Sequence, residues 1–267
     1  MGLAELQFID VERRGAVLFG AFDRPERHNS CSLEEHREFA GFLRAVQRDP
    51  EIKAAVVTGK GRSFSIGGDI ELMRGVTDDP GSQVLPLLED ARELVLAHIE
   101  LEKPIVAAMN GWAMGSGAIF GLLCDIIVAE RSTRIADGHT RAGLVAGDGG
   151  VVLWPLAIGL TQAKRLLLTG DAVSGEEALR LGLVTELVED GQAVGRALAI
   201  AERMCTGPEF AMRMTKRALN RWLALSWSAI GEHAMALEGL SMGTPEASAA
   251  IAALARDGRP AIDPDPT

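Results

Sequence analysis

Short runs of apolar residues alternate with helical patterns through the first two thirds of the chain, and this alternation limits the fold more than any other feature. Four runs are almost continuously apolar, as strands must be in a sheet that is covered on both faces. They span residues 15–19, 54–58, 104–109 and 125–129. A helix is predicted to begin after Ser32, because Glu35 three residues later completes a capping box. Another helix spans about 84–99, and the whole pattern predicts an α/β fold of right-handed βα units.

The pattern changes near Gly191, where strands give way to helices. Helical periodicity predicts helices over about 193–204, 208–225 and 226–240. A last helix is predicted to begin at Thr244 and Pro245, because threonine is a favoured N-cap and proline suits the first helical position. We therefore divide the chain into an α/β core over residues 1–190 and a helical region over residues 191–267.

Composition and charge argue against several classes of protein. Of the 267 residues 47% are hydrophobic, and 37 acidic residues outnumber 27 basic ones, for a net charge of −10. A nucleic-acid-binding protein needs a basic surface to neutralise phosphates, which this chain lacks. The three cysteines are far apart and match neither a disulfide framework nor a zinc motif. The sequence has neither a signal-peptide pattern at its start nor an apolar run of membrane-spanning length, so we expect a cytoplasmic protein without a metal site.

Two glycine-rich turns directly follow predicted strands and are the most informative segments for function. The first spans residues 59–70 and the second residues 110–117. Glycine lets a ligand approach the backbone closely, and a turn that opens a helix leaves unpaired N–H groups that can stabilise a negatively charged oxygen. Neither turn matches a dinucleotide-binding or P-loop motif. Each turn alone is equally consistent with an ordinary tight βα connection.

Together these turns resemble the crotonase (enoyl-CoA hydratase/isomerase) superfamily. The resemblance covers most of the chain in the family's order, over residues 22–29, 55–70, 103–130, 143–150, 169–171 and 178–184. It implies an α/β spiral of ββα units with a helical C-terminal trimerisation region. It also implies an assembly of identical subunits, as a homotrimer or a dimer of trimers.

The resemblance further implies an acyl-CoA substrate whose thioester carbonyl is polarised by two backbone amides. Carried over residue by residue, these amides belong to Gly68 and Ser116. The coenzyme A part would lie near Arg24 and near the backbone of Ser65, Ile66 and Gly67.

Coenzyme A would thus be part of the substrate, and we expect no prosthetic group. Arg27 and Arg62 are further candidates for its phosphates, although arginines of this kind are usually solvated surface charges. At the chain end, where the family has a lysine, this sequence offers Arg256 and Arg259.

The sequence departs from the hydratase pattern at the two catalytic glutamates, which align with Ile119 and His139. Isoleucine cannot transfer a proton, so the two-glutamate hydration mechanism does not carry over. His139 is the candidate for proton transfer, and Asp148 is a candidate to orient it or to act as a base. Alternatively, Asp148 caps the helix that follows. Asp137 is assigned a structural role, and Glu238 is a further candidate whose alternative role is that of a buried hydrogen-bonding residue.

Three functions remain open. The first is an acyl-CoA enzyme of the enoyl-CoA hydratase or isomerase type, a lyase-like member of fatty acid metabolism. The second is a coenzyme A-independent hydrolase of β-diketones, resembling 6-oxocamphor hydrolase, which carries a similar His and Asp. The third is a non-catalytic protein that binds acyl-CoA. None of the three requires a nucleic acid or a membrane.

Overall fold

The computed structural model describes residues 6–257, and the alternation of strands and helices runs through the first three quarters of that range. The strands are β1 (Ile9–Arg14), β2 (Val17–Phe22), β3 (Ala54–Gly59), β4 (Ser63–Ser65), β5 (Ile105–Met109), β6 (Trp112–Met114), β7 (Ile126–Glu130), β8 (Arg134–Ala136), β9 (Val173–Ser174) and β10 (Glu186–Val188). The helices are α1 (Leu33–Arg48), α2 (Ile70–Asp78), α3 (Pro80–Glu100), α4 (Ser116–Leu122), α5 (Gly150–Thr169), α6 (Gly175–Leu181), α7 (Ala193–Cys205), α8 (Glu209–Ser226), α9 (Glu232–Met242) and α10 (Pro245–Asp257). The predicted α/β class is confirmed.

The larger sheet contains all four strands predicted from the apolar runs, in the order β1-β2-β3-β5-β7-β10. β1 is antiparallel to β2, and the remaining neighbours are parallel. Every residue of β3 and β5 is buried. Alternate side chains point to opposite faces, so Val56 packs with Ala197 of α7, whereas Val57 packs in the main core on the other face. Coverage of both faces explains why these strands are continuously apolar.

The smaller sheet was not predicted, because its strands are only two or three residues long. Its order is β4-β6-β8-β9. Each of β3, β5 and β7 is followed by a short strand of this second sheet and then by a helix. This ββα unit therefore repeats three times, which confirms the spiral that the family resemblance implies.

α5 is long and apolar enough to cross a membrane when judged by length and composition alone. Its backbone leaves the helical conformation at Gly159 (φ 77°, ψ 155°), where two helical segments meet. Trp154 and Leu166 from the two segments are buried in the main core of the protein. One face of α5 therefore packs in the core, whereas Leu156, Leu160 and Leu168 are exposed.

The C-terminal part is helical, as predicted, but its first helix packs on the α/β core. α7 contacts β3, β5 and β7 and forms part of the cover of the larger sheet. α8 and α9 are joined by one turn of π-helix (Trp227–Gly231) where a break between two helices was predicted. The predicted cap of α10 is present, since the Thr244 hydroxyl accepts a hydrogen bond from the Ala247 amide at 3.2 Å. The division at residue 190 and the oligomeric state stay predictions.

The two glycine-rich turns touch each other through Gly117, and we predict that replacing this glycine destabilises the protein. A Cβ atom at Gly117 of α4 would overlap the carbonyl group of Ser65 at the end of β4. Gly117→Ala should therefore lower the free energy of unfolding by about 2–3 kcal/mol, measured by denaturant unfolding. The control is Gly195→Ala in α7, where a Cβ meets no atom within 4 Å. That variant should be more stable by about 0.5–1 kcal/mol, because alanine favours a helix over glycine. Equal effects in the two variants would contradict the proposed contact.

Candidate active site

A cavity of about 810 Å³ opens where the two glycine-rich turns meet. Gly68 from the first turn and Ser116 from the second line it, and so do His139, Asp148 and Glu238. All four predicted catalytic residues therefore share one cavity. Apolar residues from α2, α3, α9 and α10 form much of the remaining wall: Leu72, Met73, Val76, Leu87, Leu88, Ala91, Met242, Ile251, Leu254 and Ala255.

The first turn is held by hydrogen bonds on both sides of Gly68. The Cys31 amide donates to the Gly67 carbonyl at 2.9 Å, and the Asp69 amide donates to the Cys31 carbonyl at 3.0 Å. Among the hydrogen bonds of residues 6–257, none uses the Gly68 amide as a donor. This amide is therefore available to a ligand in the cavity.

Asn29 organises the same turn from behind. Its side chain is buried and donates to the backbone carbonyls of Lys60 and Ser63 at 2.9 and 2.7 Å. The backbone carbonyl of Asn29 accepts a hydrogen bond from the Ser65 hydroxyl at 2.7 Å. The Ser65 hydroxyl oxygen in turn accepts a hydrogen bond from the Gly67 amide at 3.2 Å. Asn29 adopts a left-handed conformation (φ 55°), which asparagine tolerates better than most residues. The turn is thus fixed before any ligand arrives.

The second turn presents Ser116 as the first residue of α4. The amide at the first position of a helix has no partner inside the helix, and within the described part of the chain the Ser116 amide donates to no protein group. Gly115 before it has a positive φ of 54°. A Cβ at Gly67 would lie 3.0 Å from the Ser116 nitrogen, so the two turns are in direct contact. Ser116 itself does not need the backbone freedom of glycine, since its φ is negative.

His139 stands among three carboxylates, two from the same stretch of chain (Asp137 and Asp148) and one from α9 (Glu238). Asp137 lies within hydrogen-bond distance of the imidazole Nδ1, with its Oδ1 at 2.8 Å, and the same oxygen accepts the His139 backbone amide at 3.1 Å. The other ring nitrogen, Nε2, lies 3.6 Å from Asp148 Oδ2 and 3.8 Å from Glu238 Oε1. Asp137 therefore orients the imidazole ring, a role for which the sequence offers Asp148 as the candidate.

Glycines allow these groups to meet. A Cβ at Gly150 would lie 2.5 Å from Asp137 Oδ2, so this carboxylate sits against the beginning of α5, where the helix dipole stabilises negative charge. A Cβ at Gly147 would lie 2.7 Å from the Cβ of Glu238, so the turn that carries Asp148 lies directly on α9. The N-cap residue of α5 is Gly149, which forms no side-chain hydrogen bond, so Asp148 lies one residue before the cap, where the Gly150 amide favours its charged form.

Burial and mutual repulsion shift the proton affinities of this cluster. Burial alone would lower the pKa of His139, but the charges of Asp148, Asp137 and Glu238 outweigh it and raise that pKa well above its usual range. Burial raises the pKa of Asp148, and the imidazole opposes this change. Burial and then the charge of Asp148 raise the pKa of Glu238 well above its usual range. The cluster therefore retains protons at a pH where isolated carboxylates have lost theirs.

Ile119, at the position of the family's first glutamate, is buried in an apolar cluster with Val152 and Leu153. It is not among the residues that line the cavity. Of the residues at the two positions of the family's glutamates, only His139 can therefore transfer a proton, and it lies at the centre of the carboxylate cluster. Within the same range, we find no group of three or more His, Cys, Asp or Glu side chains arranged to hold a metal ion.

Of the four residues predicted to bind coenzyme A, only one lines the cavity. Ile66 lines the cavity, but the predicted Arg24 does not and pairs with Glu35 at 2.5 Å. Ser65 is buried, and its hydroxyl group is used inside the protein, beside the backbone of Gly67. The cationic residues at the cavity are Arg27 and Arg62. Arg256 is exposed, and Arg259 lies outside the described residues.

Comparison with known proteins places this geometry in a family. The family model described as "Enoyl-CoA hydratase/isomerase" matches residues 12–236. A short-chain-enoyl-CoA hydratase of Clostridium acetobutylicum is 31% identical, with 81% of this chain and 82% of that protein aligned. A 1,2-epoxyphenylacetyl-CoA isomerase of Escherichia coli is 32% identical over 80% of this chain and 82% of that protein.

Among solved structures, an enoyl-CoA hydratase/isomerase from Mycobacterium paratuberculosis superposes with a TM-score of 0.89 at 35% identity, covering 92% of this chain and 98% of that one. The matches therefore extend over most of the chain in both sequence and structure. The protein belongs to the enoyl-CoA hydratase/isomerase family.

Proposed function

We propose that this protein forms and discharges an enolate of an acyl-CoA thioester, and that a single cluster around His139 moves the proton. The observation that carries the proposal is the shared cavity. Two unpaired amides, of Gly68 and Ser116, line the same space as an imidazole that is held by a buried carboxylate. Enoyl-CoA hydratases and isomerases among the relatives act on substrates of this class, by their names.

In the proposed mechanism, the two amides bind the thioester oxygen. Negative charge grows on that oxygen when a proton leaves the neighbouring carbon, and fixed donors stabilise the charge without rearrangement. Each donor of this kind contributes on the order of 3 kcal/mol. Backbone hydrogen bonds flank Gly68, and Ser116 is the first residue of α4. Both amides are therefore in place before the enolate forms.

His139 then takes the proton and returns it. Asp137 fixes the ring through Nδ1, so Nε2 is the nitrogen left for the substrate. Asp148 and Glu238 face Nε2, and the charge of Asp148 contributes most to stabilising the imidazolium that forms. This arrangement of a base and its orienting carboxylate follows the logic of a catalytic triad.

The absence of a carboxylate at Ile119 favours a proton shift over hydration. Hydration by the family's two-glutamate mechanism needs a second group to hold water, and Ile119 is apolar and outside the cavity lining. One cluster that removes a proton from one carbon and delivers it to another suffices for isomerisation of a double bond. We therefore favour an isomerase over a hydratase.

Cleavage of a β-diketone is the second candidate. It is favoured by the same imidazole, since the ring held by Asp137 is suited to activate water once it has lost its proton. The two candidates are separated by incubating the protein with 2-enoyl- and 3-enoyl-CoA esters and, separately, with cyclic β-diketones. Turnover of diketones without turnover of any CoA ester would overturn the acyl-CoA proposal.

Removal of the imidazole should abolish proton exchange. We expect the protein to exchange α-protons of an acyl-CoA ester with deuterated water, and His139→Ala to slow this exchange by at least about 100-fold, the usual contribution of a general base. Mass spectrometry of the ester measures the exchange. His233→Ala is the control, because His233 is an exposed histidine on α9 outside the cavity lining. Equal exchange in the two variants would exclude His139 as the base, and a lack of exchange above the uncatalysed rate in the unaltered protein would support a non-catalytic binding protein instead.

Removal of the Asp137 charge should move the pH profile toward acid. The carboxylates raise the pKa of His139 well above its usual range, so the neutral base becomes available only at higher pH. Asp137→Asn should lower that pKa, shift the limb of kcat/KM controlled by His139 to lower pH, and reduce kcat by at least about tenfold. The control is Asp171→Asn, which changes an exposed carboxylate paired with Arg141. An unshifted profile in Asp137→Asn would exclude His139 as the titrating group.

A further inference from the structure

Ser116 carries a hydroxyl group at a position where the proposed mechanism uses only the backbone amide. The residue lines the cavity and is 8% exposed. A Cβ atom at Gly67 would lie 3.0 Å from the Ser116 nitrogen and also 3.0 Å from the Ser116 Oγ. The amide and the hydroxyl group are therefore next to the same point of the first turn, so one ligand atom placed there could contact both.

The protein itself uses this hydroxyl group only weakly. Among residues 6–257, its one hydrogen-bond contact is with the Cys31 Sγ, at 4.0 Å. Burial, and then the charge of Glu35, raises the pKa of the Cys31 thiol, so the thiol keeps its proton near neutral pH. A protonated thiol can donate to the serine oxygen but is a weak acceptor. The hydroxyl proton of Ser116 is then left for an oxygen atom of a ligand, as buried polar groups almost always have a partner.

Ser30 provides a comparison inside the same cavity. It also lines the cavity and is 6% exposed. Its backbone amide, however, donates to the Arg27 carbonyl oxygen at 3.0 Å, and Ser30 belongs to neither glycine-rich turn. Of these two buried serines, only Ser116 combines a hydroxyl group with an amide that donates to no protein group in the described structure.

The number of donors indicates which state of a ligand the hydroxyl group would favour. A carbonyl oxygen has two lone pairs, and the amides of Gly68 and Ser116 can occupy both. An enolate oxygen carries a negative charge and a third lone pair, so it can accept a third hydrogen bond. An interaction that becomes stronger as the charge develops accelerates the reaction without tightening the binding of the substrate.

We propose that the Ser116 hydroxyl group is a third donor of the oxyanion site, which hydrogen-bonds the thioester oxygen as it becomes an enolate oxygen. The proposal rests on the acyl-CoA function proposed above and adds one side chain to its two main-chain donors. The hydroxyl group keeps its proton throughout, so His139 remains the base and no covalent bond changes at Ser116.

The first test measures proton exchange. Ser116→Ala keeps the amide and suits a helix, and it should slow the exchange of α-protons with deuterated water by at least about tenfold, because loss of an oxyanion donor is costly. Ser116→Gly removes the same hydroxyl group and should act in the same direction. Ser30→Ala is the matched control and should leave the exchange rate within about twofold. Unchanged exchange in folded Ser116→Ala would overturn the proposal, and so would an equal slowing in Ser30→Ala.

The second test measures binding without turnover. It uses two CoA analogues in which CH₂ replaces the thioester sulfur: a methyl ketone that resembles the thioester, and a carboxylate that resembles the enolate in shape and charge. Calorimetry gives the ratio of their Kd values. We expect the unaltered protein to bind the carboxylate more tightly, and Ser116→Ala and Ser116→Gly to reduce this preference about tenfold with ketone affinity within about twofold.

The outcomes separate the role of Ser116 from the function on which it rests. If the ketone binds and its ratio to the carboxylate is unchanged in either folded variant, the third donor alone is overturned. A carboxylate that binds the unaltered protein no more tightly than the ketone also overturns it, whether or not the variants fold. If neither analogue binds the unaltered protein, the acyl-CoA function itself is overturned.

Discussion

The site depends on direct backbone contact between two turns that are separated by some fifty residues of sequence. Gly67 and Gly117 lie so close to the opposite turn that a side chain at either position would meet backbone atoms. This contact brings the amides of Gly68 and Ser116 to one cavity, and the side chains of Asn29 and Ser65 hold the first turn in place. β3 and β5 are neighbours in the larger sheet, and β4 and β6 are neighbours in the smaller one. The two sheets therefore fix the distance between the turns. The rigidity of the candidate oxyanion site is therefore a property of the sheets.

A second constraint is the burial of four titratable groups in one place. Three carboxylates around one imidazole are costly when isolated from water, because like charges repel and none is fully hydrated. The protein offsets part of this cost through the beginning of α5, beside Asp137, and through the positive charge that His139 can carry. Such clusters are more common in functional sites than in structural cores, where burying an apolar residue of the same size costs less free energy.

Most of the larger sheet was predictable, whereas the smaller sheet was not. β3 and β5 are buried on both faces, so every position in them favours an apolar or small residue and the sequence shows a continuous apolar run. β4 has the sequence Ser63–Ser65 and pairs with β6 over only two positions, so its stability comes from its neighbours. No local pattern marks a strand of that kind. The helical periodicity predicts separate helices on either side of residue 226, but the backbone keeps helical angles at Ser226 and Trp227, so α8 and α9 continue through the π-turn.

The candidate site was predictable in its chemistry and only partly in its geometry. Gly68, Ser116, His139 and Asp148 were found by resemblance and line one cavity. Asp137 was assigned a structural role, because a spacing of two residues does not reveal that the chain leaving β8 folds its carboxylate back onto the imidazole. The contact of Glu238 depends on how α9 packs on the turn at Gly147, and this packing is invisible in the sequence of either element.

The replacement of both family glutamates becomes understandable when the two parts of the site are considered separately. The two amides proposed as donors for the thioester oxygen are main-chain groups, so they do not depend on which side chains surround them. The proposed proton-transfer groups are side chains, and they can change position as long as one of them reaches the same carbon. Here Ile119 has joined the apolar core, and the cluster of His139 with its carboxylates stands on one side of the cavity. A fold that stabilises the enolate through its backbone can therefore support different reactions, with the side-chain cluster deciding where the proton goes.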